Sequence, residues 1–284
     1  MKNIDYFTIV CFVAKDFGEL QDAAKYPSAT IDLLASGDFS EQKGFYAADP
    51  FIFSHNGVTH VFCEILTTQN KGFIGKYRYD RQTGTLSSPC LVLEESFHLS
   101  YPQLIKHVDG IYMLPETGGA GDIRLYKAEN DELNEWKYHS TLIRGIYYDP
   151  TPIFHHGTWF LFTSSGKDFS KMHIFTSDTL TDGWTEHPLS PFPLGPDSSR
   201  AAGPILVRDN KMYRLAQDCS VRYGQAVKAY EITNLSKYAY SEQFSQVLLR
   251  EGDDGYNTSG MHHLQHVMST KNGELFIADG YKRL

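Results

Sequence analysis

Hydrophobic residues along this chain fall in short paired bursts, without the long three-and-four spacing that marks an amphipathic helix. Five segments share one form. They read ADPFIFSHNGVTHVFCE around Asp49, SYPQLIKHVDGIYMLPE around Tyr101, YDPTPIFHHGTWFLFTS around Asp149, AGPILVRDNKMYRLAQD around Gly203 and MHHLQHVMSTKNGELFIAD around His262. In each, an apolar run leads into a polar turn, and a second apolar run ends on a polar residue. The turns His55-Asn56-Gly57, Val108-Asp109-Gly110, His155-His156-Gly157, Asp209-Asn210 and Lys271-Asn272-Gly273 supply Gly and Asn where a tight hairpin needs positive φ.

The repeats start near residues 49, 101, 149, 203 and 262, at spacings of 52, 48, 54 and 59 residues. That length suits four strands and their connections, the unit of a propeller blade. Third strands are expected at 74–79, 122–127, 172–176 and 226–232, and fourth strands at 91–93, 141–143 and 247–249. The fifth unit has its inner hairpin, but Leu284 arrives before any outer strand, while a β-like run at 6–13 lies unassigned. Pairing that run onto the fifth unit closes the ring and protects edges that would otherwise template aggregation. The expectation is an all-β, five-bladed β-propeller spanning 1–284 as one domain, its ring closed by the N-terminal strand on the fifth blade.

Composition narrows the function. The chain carries 41% hydrophobic and 21% charged residues, with 18 Tyr and 18 Phe against 3 Trp. Rings pack well on pleated strands, and they also suit the apolar faces of sugars. Net charge is −8 and no segment concentrates Lys and Arg, so nucleic acid is not an expected partner. No apolar run reaches the length of a membrane span. The start of the chain, 1–17, has an apolar stretch without a strongly basic lead or a small-residue cleavage site, so it is not read as a signal peptide. Four scattered cysteines, Cys11, Cys63, Cys90 and Cys219, fit reduced thiols and a cytoplasmic location. The pattern does not reveal oligomeric state.

Residues at matching places in the five units converge on one mouth of a propeller. The leading positions are Asp49, Tyr101, Asp149, Gly203 and His262 or His263; the second strands end on Glu64, Glu116, Ser164, Asp218 and Asp279. Asp49, Glu116 and Asp149 are the candidate catalytic carboxylates, since two acids across a polar mouth fit glycoside hydrolysis. An Asp before Pro also caps turns, and that reading stays open for Asp49 and Asp149. Tyr101, Asp218, Arg222, His262 and His263 are candidate sugar contacts. Arg222 presents a fork for a carboxylate or an anionic substrate group, and a structural Asp–Arg pair serves equally. No cofactor is expected, although an axial metal ion near His263 remains an alternative to a core histidine.

Ala48-Asp49-Pro50, Tyr148-Asp149-Pro150 and the fivefold repeat resemble the furanosidase propellers of glycoside hydrolase family 43. More closely, Ala48-Asp49-Pro50-Phe51, Phe97-His98-Leu99-Ser100-Tyr101-Pro102, Leu114-Pro115-Glu116-Thr117 and Ala216-Gln217-Asp218-Cys219-Ser220 with Arg222-Tyr223-Gly224 are similar to the N-terminal propeller domain of plant glucosamine inositolphosphorylceramide transferases and of bacterial surface-polysaccharide proteins. That similarity covers roughly residues 40 to 284. The hydrolase resemblance implies Asp49 as general base and Asp149 as the carboxylate that tunes the acid and orients the sugar. It also implies a general-acid Glu just before Gly-Pro in the fourth blade, where this chain has Ala202-Gly203-Pro204. Three outcomes follow for a carbohydrate partner: a glycosidase with Glu116 or Asp218 as substitute acid, a glycosyl transfer with a phosphate leaving group in polysaccharide or glycolipid assembly, or a non-catalytic glycan-binding module.

Overall fold

The computed structural model describes residues 4–284, and Met1, Lys2 and Asn3 at the head of the stretch weighed as a leader lie outside them. Five antiparallel sheets form the blades of a propeller. Blade one contains Gly44–His55, Val58–Thr67 and Gly72–Asp80, with the short strands Thr85–Leu86 and Cys90–Leu93 both on its outer edge. Blade two runs Ser100–His107, Gly110–Glu116, Asp122–Ala128 and Trp136–Arg144, and blade three Tyr148–His155, Thr158–Ser165, Lys171–Ser177 and Thr185–Glu186. Blade four runs Leu206–Arg208, Lys211–Asp218, Ala226–Leu235 and Tyr240–Arg250.

Blade five joins the two ends of the chain. Its inner pair, Gly260–Thr270 and Gly273–Arg283, is followed outward by Asp5–Ala14 and then Ala29–Ile31. The closing strand pairs in unbroken register from Asp5 opposite Arg283 to Ala14 opposite Glu274. The expected closure is therefore present. What the hydrophobic pattern did not signal is a pair of one-turn helices, Leu20–Ala23 and Leu33–Ser36, in the link from this strand to blade one. Asp32 caps the second by accepting from the Ala35 amide, a local bond that needs no periodic stripe.

Second strands are apolar on successive positions, not alternate ones, because each blade is covered on both faces by its neighbours. Val61, Phe62, Cys63 and Ile65 are all buried. Such strands read as continuous hydrophobic runs. The five larger apolar clusters lie one at each blade interface. Ile9 and Cys11 meet Val61 and Phe73 between blades five and one, for instance, and Phe12 and Phe276 meet Leu215 and Val227 between blades four and five.

The inner strands share a second feature that bears on the site. Asp49, Tyr101 and Asp149 have φ of 50°, 49° and 50°, in the left-handed region that costs non-glycine residues free energy. Each precedes a proline, which cannot donate to the ladder. Each lies in a register break, between Ala48 and Phe51, Ser100 and Gln103, and Tyr148 and Thr151. Such bulges re-aim a side chain. Blade four departs from this form: its inner strand is reduced to Leu206–Arg208 plus an isolated bridge between Ala201 and Ala216. Gly203 sits at φ 132°, and a Cβ there would come 2.1 Å from the Leu264 carbonyl oxygen. Only glycine allows this approach of blade four to blade five.

Candidate functional site

The bulges turn Asp49 and Asp149 into a buried polar centre at the axis, which also receives Glu116 and Asp279 from the ends of second strands. Asp149 is fully occupied. Its carboxylate accepts from Arg200 Nε at 2.5 Å and Nη2 at 3.4 Å, and from Gln217 Nε2 at 3.2 Å. Glu116 accepts from the Asp149 amide at 3.2 Å and lies 3.7 Å from Arg200 Nη2. One guanidinium therefore serves two acids. Burial and the Asp149 charge hold the Glu116 carboxyl well above the usual range, although Arg200 opposes them. Three half-buried rings surround Arg200, with its guanidinium carbon 4.5 Å from the centre of Phe169, 4.9 Å from Tyr223 and 5.4 Å from Tyr148. A buried cation is tolerated here because ion pairs and aromatic faces together replace its water.

Asp49 is held differently. Its amide donates to Asp279 Oδ2 at 2.8 Å, whereas its own carboxylate has no hydrogen-bond donor among the described residues. Nearest to it are His262 Nε2 and His263 Nδ1, both at 3.9 Å. Burial raises the Asp49 carboxyl well above the ordinary range; His262 works against this and the Asp149 and Asp279 charges add to it. Asp279 accepts from His262 Nδ1 at 2.7 Å and from the His263 amide at 3.0 Å. Burial disfavours charge on His262, but this carboxylate prevails and lifts its pKa to about 9. His263, one residue on, goes the other way. Burial lowers it to about 4, and it packs against Phe51 and Tyr101 at 4.7 and 5.6 Å. Asp49, His262 and Asp279 bring ligand atoms within 4.8 Å of one another, a set with the donors to hold a metal ion.

Tyr101 is wholly buried and acts as a pin across the axis: its hydroxyl lies 2.9 Å from Thr151 Oγ1 and accepts from the Gly203 amide at 3.0 Å. Asp218 and Arg222 are directed elsewhere. Asp218 pairs with Lys228 at 2.8 Å and Ser220 at 2.6 Å. Arg222 donates to the Ser259 carbonyl at 2.6 Å and pairs with Glu251. Within blade four it is Gln217, the residue before Asp218, that reaches the axis. Ala202, at the position where the hydrolase resemblance places an acid, is completely buried in the apolar cluster with Leu215 and Leu264.

On one side of the mouth His98 meets Glu64 at 3.1 Å, and its Nδ1 accepts from the Gly72 amide at 3.0 Å. The rim also carries Tyr46, Tyr148, Phe169 and Tyr223, all half-buried. Buried acids and half-buried rings thus lie side by side. Sequence reasoning names Arg200, with Arg222 and Lys228, only as a phosphate contact for the transfer reading, and does not foresee its pairing with Asp149 and Glu116 or its ring cage. A cue existed in the Arg directly before the two alanines at the missing acid, but its partners are supplied by other blades.

The five-bladed fold is shared by solved glycosidase structures. The catalytic domain of a Coprinopsis cinerea GH62 α-L-arabinofuranosidase superposes with a TM-score of 0.62 at 13% identity, covering 84% of this chain and 91% of that one. A thermostable family-43 glycoside hydrolase gives 0.57 at 12% identity, covering 77% and 81%. At such identities the likeness concerns the fold alone. The sequence is more particular: residues 21–280 match the family described as glucosamine inositolphosphorylceramide transferase 1, N-terminal, and the chain belongs to that family. The glucosamine inositolphosphorylceramide transferase 1 of Oryza sativa subsp. japonica is 31% identical over 249 residues, covering 83% of this chain and 33% of the relative. Its Arabidopsis thaliana namesake is 29% identical, covering 83% and 32%. This chain thus spans about a third of the length of the curated relatives it matches.

Proposed function

We propose that this propeller binds a neutral carbohydrate at its axial mouth and does not hydrolyse it by the furanosidase scheme. The observation that carries the reading is a set of buried acids beside half-buried rings, with buried Ala202 in the place of a general acid. Sugar hydroxyls donate well to carboxylates, and the C–H faces of a sugar ring lie well on Tyr and Phe. Asp49 is the acceptor open for this, because its carboxylate holds no donor of the protein. The cations of the site, Arg200 and His262, both face carboxylates, as does His98, which disfavours a free phosphate. Glycosidic cleavage needs the departing oxygen protonated, a contribution of about 10²–10⁴ in rate. Ala202 offers no proton, and Glu116 is bound to the Asp149 amide and faces Arg200.

A second reading draws support from the transferase name of the relatives. Asp49 would take the proton of an acceptor hydroxyl as that oxygen bonds to the anomeric carbon. The bond to a phosphate oxygen would break, and the phosphate would leave with the electron pair. Calorimetry with a panel of neutral sugars and nucleotide sugars separates the possibilities. Binding is expected for at least one neutral sugar, weakened at least about tenfold, or about 1.4 kcal/mol, in Asp49→Asn. Release of an aryl furanoside's leaving group that is lost in Asp49→Asn would overturn the proposal in favour of hydrolysis. Turnover of a nucleotide sugar would favour transfer, and no affinity for any sugar would defeat both readings.

A further inference from the structure

Among the described residues three lysine or arginine side chains are buried: Arg200, Arg214 and Lys76. Two of them hold carboxylates, Arg200 on Asp149 and Arg214 on Glu242 at 2.6 Å. Lys76 does not. Its ammonium donates to the Glu132 carbonyl at 2.6 Å and to the Asn134 side chain, both uncharged acceptors. No carboxylate of the described residues lies within the 4.0 Å of an ion pair. A lysine only 5% exposed with no counter-charge is unusual, since removing an ammonium from water costs several kcal/mol unless an anion compensates.

The surroundings of Lys76 offer room for that anion. Lys76 lines a cavity of about 510 Å³ between blades one and two, beside the His55-Asn56-Gly57 hairpin and so at the opposite end of the blade from Asp49. His60 and Arg78 line the same wall, paired across adjacent strands, and Ser87 and Ser88 add hydroxyls. Arg78 likewise has no carboxylate within 4.0 Å among the described residues. His60 is only 4% exposed, and its Nδ1 has no hydrogen-bond partner. Burial first, then Lys76 and Arg78, lower its pKa to about 4; the same burial depresses Lys76. Acidic groups occur only on the facing loop. The Glu132 carbonyl holds Lys76, and Asp131, 84% exposed, lies 3.5 Å from His55.

We propose that this cavity is a second ligand site, separate from the axis, which binds the phosphate group of a small anionic molecule on Lys76, Arg78 and His60. A phosphate there supplies the counter-charge that Lys76 lacks, accepts hydrogen bonds from both cations and from Ser87, and favours a protonated His60 whose ring donates to it. The volume exceeds that of bare phosphate and suits a monophosphate ester.

The test is thermal unfolding of the intact chain in millimolar inorganic phosphate, with glucose 6-phosphate and glucose as further probes and an equal ionic strength of chloride as reference. Phosphate and glucose 6-phosphate are expected to raise Tm through preferential binding to the folded state, while glucose at the same concentration leaves this site unfilled. In Lys76→Met and in Arg78→Gln that phosphate-dependent rise is lost. Without phosphate, Lys76→Met is expected to be no less stable than the parent, because the buried charge is gone. Arg78 is exposed, so its variant remains informative if Lys76→Met fails to fold. An equal rise in all three proteins, or no rise in the parent, would overturn the proposal.

Discussion

Asp49 and Asp149 occupy the same place in blades one and three, share a left-handed backbone before proline, and end in opposite circumstances. Asp149 is spent on structure: an arginine, a glutamine and a ring cage make it the anchor of blades three and four. Asp49 is tethered through its amide alone, and its buried carboxylate takes no hydrogen bond among the described residues. The repeat thus aims both acids inward, and the neighbours decide which one is available to a ligand. Convergence and availability are separate properties.

The largest expected effect comes from breaking the anchored member. Asp149→Ala leaves Arg200 buried with Glu116 alone and is expected to lose about 3–5 kcal/mol of stability in urea unfolding. Asp49→Asn removes no hydrogen bond of the protein and relieves a buried carboxyl, so its stability should stay within about 1 kcal/mol of the parent. Equal losses in both would erase the contrast.

A pH experiment sharpens it further. His262 has a folded pKa of about 9 against an ordinary 6.5. A raised pKa contributes stability that is fully present below 6.5 and is lost as pH rises through about 9. Asp279→Asn removes the partner, so the gap in stability between parent and variant should be widest near pH 6 and close progressively toward pH 9 and above. A gap independent of pH over that range would show that His262 is not held charged by Asp279. A milder loss than that of Asp149→Ala belongs to the pin across the axis. Tyr101→Phe leaves the Gly203 amide and Thr151 without their shared partner and should cost about 1–3 kcal/mol.

The fold was legible because it is written twice, once in the hairpin turns and again in the spacing of the repeats. Asn56-Gly57, His156-Gly157 and Asp209-Asn210 do adopt paired positive φ values, as the tight hairpins require. The convergence of Asp49, Glu116, Asp149, His262 and His263 was equally readable, since equivalent positions in a ring must meet. Asp218 and Arg222 were not. Whether the end of a strand faces the axis depends on its phase, and one residue of slip exchanges inward for outward. Blade four lost its regular inner strand at Gly203-Pro204, and Gln217 took the inward place. The partners of Arg200 were equally hidden, because its carboxylates lie 51 and 84 positions away and its rings come from one strand end and two loops.

The seam in blade five has a consequence for how the molecule is made. Asp5 and Arg283, 278 positions apart, are joined side by side. The earlier of these strands to leave the ribosome must therefore wait, unpaired, for a partner made 278 positions later. Contacts of such long separation slow folding, and the waiting edge is sticky. Blades two to four can assemble during synthesis, whereas the circle itself is completed only after translation has passed the final hairpin.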